Sequence, residues 1–317
     1  MKSKKVWIPL VVLAALVGLL LKLSVLYTAS YEIPATVLGD DFQISILKQE
    51  ASLGLVPGTN KTFQWANPDK RKTPVSIVSL HGFSATRKEI APIPEKIAEA
   101  LGSNLFMTRL TGHGLGADGM GKIQAEDLLK DAEEAMAIGQ RMGEKTVLIG
   151  VSTGALLALE LAFKYPDQVA GLILVSPNFR PSRAASLVLK GPLGHWIAEN
   201  YVKEHRWKAS SAEEERYWTT AYPAVAVHEM MNLLSWINQR DLRSIKVPAL
   251  LAFSPTDRVV SVDLIRKRMK TYGGPLEIEE VSADHVLVGD IKTPSNNEAF
   301  LAKAIPFVRA LIPQAQP

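Results

Sequence analysis

Ser152 stands in the pentapeptide Gly150-Val151-Ser152-Thr153-Gly154, between the β-branched apolar run Thr146 to Val151 and the alanine- and leucine-rich run Ala155 to Phe163. A strand that turns sharply into a helix exposes a hydroxyl at its apex, and small residues two before and two after let neighbouring backbone approach without a Cβ clash. The bare pattern also fits a glycine-bounded turn with a serine N-cap. A serine hydroxyl becomes a useful nucleophile only when a histidine removes its proton and an acid fixes that histidine's tautomer. Both types follow in the chain. The apolar segment Leu250-Leu251-Ala252-Phe253-Ser254 ends in Pro255-Thr256-Asp257, and Ile278 to Ser282 ends in Ala283-Asp284-His285, so Asp257 and His285 fall on loops just past strand ends. Asp284 competes for the acid role, but an immediate neighbour of His285 is poorly placed to reach its Nδ1. Asp263, after Ser261 at a helix start, is explained by capping or the helix dipole.

The charge that develops on a carbonyl under attack needs two backbone N–H donors, one from the residue after the nucleophile and one from the loop after an earlier strand. Thr153 supplies the first, and Phe83 in His81-Gly82-Phe83-Ser84 the second. His81 then shapes that loop rather than moving protons. Thr111-Gly112-His113-Gly114-Leu115-Gly116 has a glycine-rich look but lacks the spacing and the acidic residue of a dinucleotide loop, and Gly58-Thr59-Asn60-Lys61-Thr62 lacks the first half of a phosphate loop. His228-Glu229 has no histidine at zinc-helix spacing, and His195 and His205 read as surface or packing residues. No metal and no cofactor is expected.

The set LHGF, RLTGHG, GVSTG, SPTDRVV and ADHVL, from about Pro74 to Leu311, resembles the α/β-hydrolase superfamily. The GHG loop is similar to that of the branch holding monoacylglycerol lipases, bacterial carboxylesterases and serine aminopeptidase-like hydrolases. The resemblance implies Ser152 as nucleophile, Asp257 and His285 as its partners, and Phe83 and Thr153 as oxyanion donors. The serine, acid, histidine order is that of this superfamily. Threonine after the serine departs from the bulky apolar residue or glutamine of many relatives.

The elements that must position these residues can be read from apolar patterning. Val75 to Leu80, Leu105 to Leu110, Thr146 to Val151, Val169 to Val175, Val247 to Phe253 and Leu276 to Val281 are the strand candidates, and the runs among them that are apolar at nearly every position fit strands covered on both faces. Helical patterns at Ala125 to Met142, Ala155 to Tyr165, Val262 to Tyr272 and Ala299 to Leu311 supply the cover. This predicts an α/β fold with a doubly wound, mostly parallel sheet. Phe42 to Leu47 and Thr62 to Trp65 alternate and predict an antiparallel edge before it. Residues 178–246 lack a buried strand and hold four of the six tryptophans, Trp196, Trp207, Trp218 and Trp236. They predict a helical lid insertion over the carboxyl edge of the sheet, where ligands bind in such folds; the tryptophans line its pocket or form its own small core.

The chain has 317 residues, a net charge of +4 and no cysteine. Thiolate metal sites, disulfides and cysteine nucleophiles are therefore excluded, and without a basic stripe interleaved with aromatics no nucleic-acid partner is expected. Val6 to Leu21 is an uncharged apolar run that resumes after Lys22 as Leu23 to Tyr27, and counted to Tyr27 it reaches the roughly 20 residues of a spanning helix. Residues 1–29 are thus expected to form a transmembrane anchor, with Lys2, Lys4 and Lys5 in the cytoplasm and the hydrolase domain, residues 30–317, on the far side. The competing reading is a cleaved signal at Thr28-Ala29-Ser30, giving a secreted or periplasmic protein. The expected activity is hydrolysis of carboxylic esters, including lipid esters, of medium or long acyl chain through an acyl-enzyme on Ser152. The alternatives are a thioester, amide or carbon–carbon bond on the same triad, or a catalytically silent, membrane-tethered binding protein.

Overall fold

The computed structural model of the chain describes residues 4–312, and the side chains from Val11 onward except that of Leu13. In chain order the elements are α1 (Lys4–Leu26), α2 (Phe42–Ala51), β1 (Thr62–Gln64), β2 (Thr73–Leu80), α3 (Ile93–Leu101), β3 (Asn104–Met107), α4 (Gly116–Met120), α5 (Ala125–Met142), β4 (Gly143–Val151), α6 (Thr153–Lys164) and β5 (Val169–Val175). Then come α7 (Gly191–Ile197), β6 (Glu204–Arg206), α8 (Ala212–Tyr217), β7 (Ala221–Pro223), α9 (Ala224–Ile237), β8 (Ala249–Phe253), α10 (Val262–Met269), β9 (Leu276–Glu280) and α11 (Asn297–Leu311).

Seven strands form one sheet in the order β1-β3-β2-β4-β5-β8-β9. Every pairing is parallel except that of the edge strand β1 with β3. The central strands β4 and β5 are buried on both faces because α5 and α6 cover one side while α3 and α11 cover the other. Parallel register brings Gly150 beside Leu80 and Val151 beside Val175, so the chain leaves β2, β4 and β5 at one level. The loops that follow β2, β4, β8 and β9 therefore open on the same carboxyl edge of the sheet.

Two expectations for the region ahead of the sheet need correction. Phe42 to Leu47 is not a strand; it is the first part of α2, whose buried face is Ile46 and Glu50 at helical spacing. A salt bridge from Arg109 to Glu50 and the Arg141 guanidinium over the Phe42 ring hold that helix against the body. Short alternation cannot by itself separate the two periods.

The second concerns the apolar N-terminal run. Among the described residues no helix is long and apolar enough to cross a membrane. The physical reason lies in the last turn of α1 and the residues after it, which the sequence count needed for a full span. Ser24 is buried and donates to the Val188 and Lys190 carbonyls at 2.6 and 2.7 Å. The Lys190 ammonium donates to the carbonyls of Val25 and Tyr27, and Ala29 exchanges hydrogen bonds with Ser235 and Gln239. Leu23 to Tyr27 thus ends on the protein body, and the transmembrane helix, with the far-side location inferred from it, is overturned. The alternative cleavage site, Thr28-Ala29-Ser30, includes the buried Ala29 of that contact.

Residues 178–246 contribute no strand to the central sheet. Their two strands, β6 and β7, pair only with each other, antiparallel across α8, which patterning did not reveal. The tryptophans divide. Trp218 is buried in the core cluster beneath the sheet, and Trp236 packs edge-on against Tyr31 with the Arg240 guanidinium 3.8 Å above its ring. Trp196 is half exposed and meets Tyr201.

Candidate active site

The turn from β4 into α6 carries Ser152 at φ 53° and ψ −113°, a left-handed conformation that a residue other than glycine adopts at a cost. The two flanking glycines permit it. A Cβ on Gly150 would lie 2.5 Å from the Ala155 Cα, and one on Gly154 would lie 2.2 Å from the Leu80 carbonyl oxygen. Backbone on both sides leaves nothing flexible to move. Gly154→Ala is therefore expected to lose about 1–3 kcal/mol of stability through overpacking, measurable by urea denaturation, and to displace the serine.

Asp257 and His285 lie on the loops after β8 and β9. His285 Nδ1 and Asp257 Oδ2 are 2.7 Å apart. The other carboxylate oxygen, Oδ1, accepts from the N–H groups of Val259 and Val260 at 2.7 and 3.1 Å. Burial pushes Asp257 up, yet the His285 contact and the two backbone donors outweigh it and hold the carboxyl below its ordinary range. Hydroxyls tie the loops together: Ser254 donates to the Ala283 carbonyl at 2.5 Å and Ser176, at the end of β5, to the His285 carbonyl at 2.8 Å. With Nδ1–H directed at a carboxylate, Nε2 is left to accept a proton. No hydrogen bond joins Ser152 Oγ to His285 among the described residues; such contacts tighten in substrate complexes. Asp284 is exposed and bonds to neither, and Asp263 is exposed in the first turn of α10.

The loop after β2 is held at alternate N–H groups. Gly82 N–H donates to Glu89 Oε2 at 2.6 Å, and Ser84 N–H donates to His113 Nε2 at 2.9 Å. Between them the Phe83 N–H, like the Thr153 N–H at the start of α6, donates to no protein acceptor among the described residues. Two donors beside a strained serine can receive an oxyanion.

His113 belongs to the GHG loop that carried the family resemblance, but the sequence assigned it no role. It is buried; its Nδ1 donates to the Thr111 carbonyl, which leaves Nε2 as the acceptor that orients Ser84. His81 works alike, donating from Nδ1 to the Gly82 carbonyl and accepting the Leu110 N–H at Nε2. Burial lowers both, His113 to about 4. Between about pH 6.5 and pH 4 the unfolded chain takes a proton at His113 that the folded chain refuses, so this residue makes stability fall as the pH drops through that window. Burial pushes Glu89 up to about 7 and Asp131 up to about 6, and those groups act in the opposite sense. His113→Gln, which keeps an acceptor but cannot titrate, is expected to lose less stability than wild type between pH 6.5 and 4 in parallel urea titrations.

The loop that carries His113 is anchored in turn by Arg109, whose guanidinium makes a two-pronged contact with the buried Glu50 and donates to the His113 carbonyl. Burial pushes Glu50 up, but Arg109 and the Lys61 N–H hold it below the usual carboxylate range. This pair links α2 to the site, and it was not legible because its members are 59 residues apart.

His195, His228 and Glu229, far apart or unpaired in the sequence reading, present ligand atoms within 4.8 Å of one another. His228 donates from Nδ1 to the Leu189 carbonyl, and the Nε2 lone pair is taken by the Asn232 amide at 2.9 Å. The cluster is thus satisfied as a joint between α7 and α9. His205 packs on Tyr222.

Residues 72–275 match the family described as serine aminopeptidase, S33. A thermostable monoacylglycerol lipase from Bacillus sp. (strain H-257) is 27% identical over 188 residues, which cover 59% of this chain and 72% of the lipase. Among solved structures, a metagenome-derived lipolytic enzyme of the LipS and LipT pair superposes with a TM-score of 0.68 at 21% identity, over 81% of this chain and 99% of its own. A soluble variant of monoglyceride lipase from Saccharomyces cerevisiae, in complex with a substrate analog, superposes with a TM-score of 0.63 at 12% identity, over 91% of this chain and 100% of its own. These likenesses establish the fold.

Proposed function

The chain belongs to the serine aminopeptidase S33 family of hydrolases, and on that premise we propose that it cleaves carboxylic esters of medium or long acyl chain through an acyl-enzyme on Ser152. His285 takes the Ser152 proton at Nε2 while Asp257 holds Nδ1–H and stabilises the imidazolium. Ser152 Oγ attacks the acyl carbonyl, and the oxyanion rests on the N–H groups of Phe83 and Thr153. The imidazolium then protonates the leaving alcohol. Water, deprotonated by the same histidine, releases the acid and restores the serine. The observation that carries this reading is the 2.7 Å contact of His285 Nδ1 with Asp257 at the sheet edge where Ser152 turns.

The ester is favoured over other acyl derivatives by the similarity to a monoacylglycerol lipase. Residues 178–246 act as the lid of a hydrolase domain that spans 30–317. Two contacts support this: the Thr219 N–H donates to the Ser84 carbonyl at 2.8 Å, and the Tyr222 ring meets Phe83 edge-on at 5.9 Å. The insertion therefore sits directly on the proposed oxyanion loop.

A series of p-nitrophenyl esters and 1-monoacylglycerols tests the reading. Each methylene buried in an acyl pocket is worth about 0.8 kcal/mol, or about fourfold in kcat/KM, so the octanoate should exceed the acetate by tenfold or more. A p-nitroanilide turned over faster than the ester of the same acyl chain would move the assignment to amides.

A further inference from the structure

One buried carboxyl group behind the oxyanion loop is not used in this reaction scheme. Glu89 is 2% exposed, and among the described residues it forms no ion pair with a lysine or arginine. Its Oε2 accepts the Gly82 N–H at 2.6 Å. The point where a Gly82 Cβ would stand is 2.8 Å from Glu89 Oε1 and 3.2 Å from Ser152 Cβ, so the carboxyl group and the nucleophile flank one glycine. A buried carboxyl without a cation is costly, and a glutamine would accept the same N–H more cheaply. Its placement beside reacting groups therefore calls for a role in the chemistry.

The loop gives that role. Glu89 fixes the peptide before Phe83 and His113 fixes the one after it, which leaves the Phe83 N–H as the donor between two held positions. On the proposed Ser152 reaction, we infer that Glu89 is a positioning residue that aims the Phe83 N–H at the oxyanion. Burial pushes the Glu89 carboxyl up to about 7, with the Gly82 N–H and His285 pulling the other way.

Glu89→Gln and Glu89→Ala separate the two contributions. Glutamine keeps the acceptor for Gly82 and loses the charge; alanine loses both. With p-nitrophenyl octanoate, Glu89→Gln should lower kcat about tenfold and Glu89→Ala about a hundredfold, with KM within about threefold of wild type. A charged acceptor holds the Gly82 N–H more firmly than a neutral one, so glutamine should restore about tenfold of the rate that alanine loses. Circular dichroism normalises rates to the folded fraction, and if the alanine variant does not fold, the kcat of the glutamine variant at unchanged KM decides. Unchanged kcat in a folded variant, while wild type is labelled at Ser152 by a fluorophosphonate, would overturn the role of Glu89 alone. Labelling that persists in Ser152→Ala would instead remove the reaction on which it rests.

Discussion

Ser152→Ala is expected to lower kcat/KM for p-nitrophenyl octanoate by a factor on the order of 10⁴–10⁶ while leaving the fold intact. The turn holds its shape through backbone: Ser152 N–H donates to the Val175 carbonyl, and its carbonyl accepts from Asn178 and Ala155. None of these contacts involves the hydroxyl. The neighbouring hydroxyl, Thr153 Oγ1, is buried and accepts from the Asn178 amide, so it is not free to substitute. Loss of rate at a wild-type circular dichroism spectrum and urea midpoint is the expected result. Ser152→Cys gives a complementary reading, since the chain has no other cysteine. Its single thiol should react with iodoacetamide faster when His285 is present than in the Ser152→Cys/His285→Ala double variant.

Asp257→Asn is expected to cost about 10⁴-fold in kcat, and the geometry states why an amide fails. The Asp257 carboxylate has two faces in use, one toward His285 Nδ1 and one accepting from Val259 and Val260. An asparagine offers one oxygen and one NH₂. With its oxygen toward the backbone donors, the NH₂ faces His285 and forces the tautomer that carries its proton on Nε2, which cannot accept another. With its oxygen toward His285, the NH₂ opposes two N–H groups. His285→Ala removes the base altogether and should fall at least as far. Steady-state rates at saturating ester, with the folded fraction measured in parallel, check both.

Much of the frame was legible because the central strands are buried on both faces and so are apolar without interruption; Val169–Val175 and Ala125–Met142 fall where patterning put them. The placement of Ser152, Asp257 and His285 at strand ends was legible for the same reason, since a loop that follows a buried strand must emerge at the edge of the sheet. What was not legible depends on distant partners. The helix Ile93–Leu101 escaped notice although Pro94 at its start and Gly102 in the left-handed conformation at its end mark it. Glu89 and His113 look ordinary in sequence, and only the fold brings both to the loop at Phe83. The Phe42–Ala51 helix owes its burial to Arg109, 59 residues from Glu50. The apolar run before Tyr27 was long enough on paper because the count took in residues that instead close onto Val188 and Lys190.

Ser152 Oγ is the atom proposed to carry the acyl group. Incubation with an alkyl fluorophosphonate followed by peptide mapping by mass spectrometry tests it most directly. One phosphonyl adduct per chain is expected, on the peptide holding Gly150 to Gly154, with none on Ser152→Ala and strongly slowed formation on His285→Ala. An adduct on another residue of the wild-type protein, or labelling of Ser152→Ala at the wild-type rate, would contradict it.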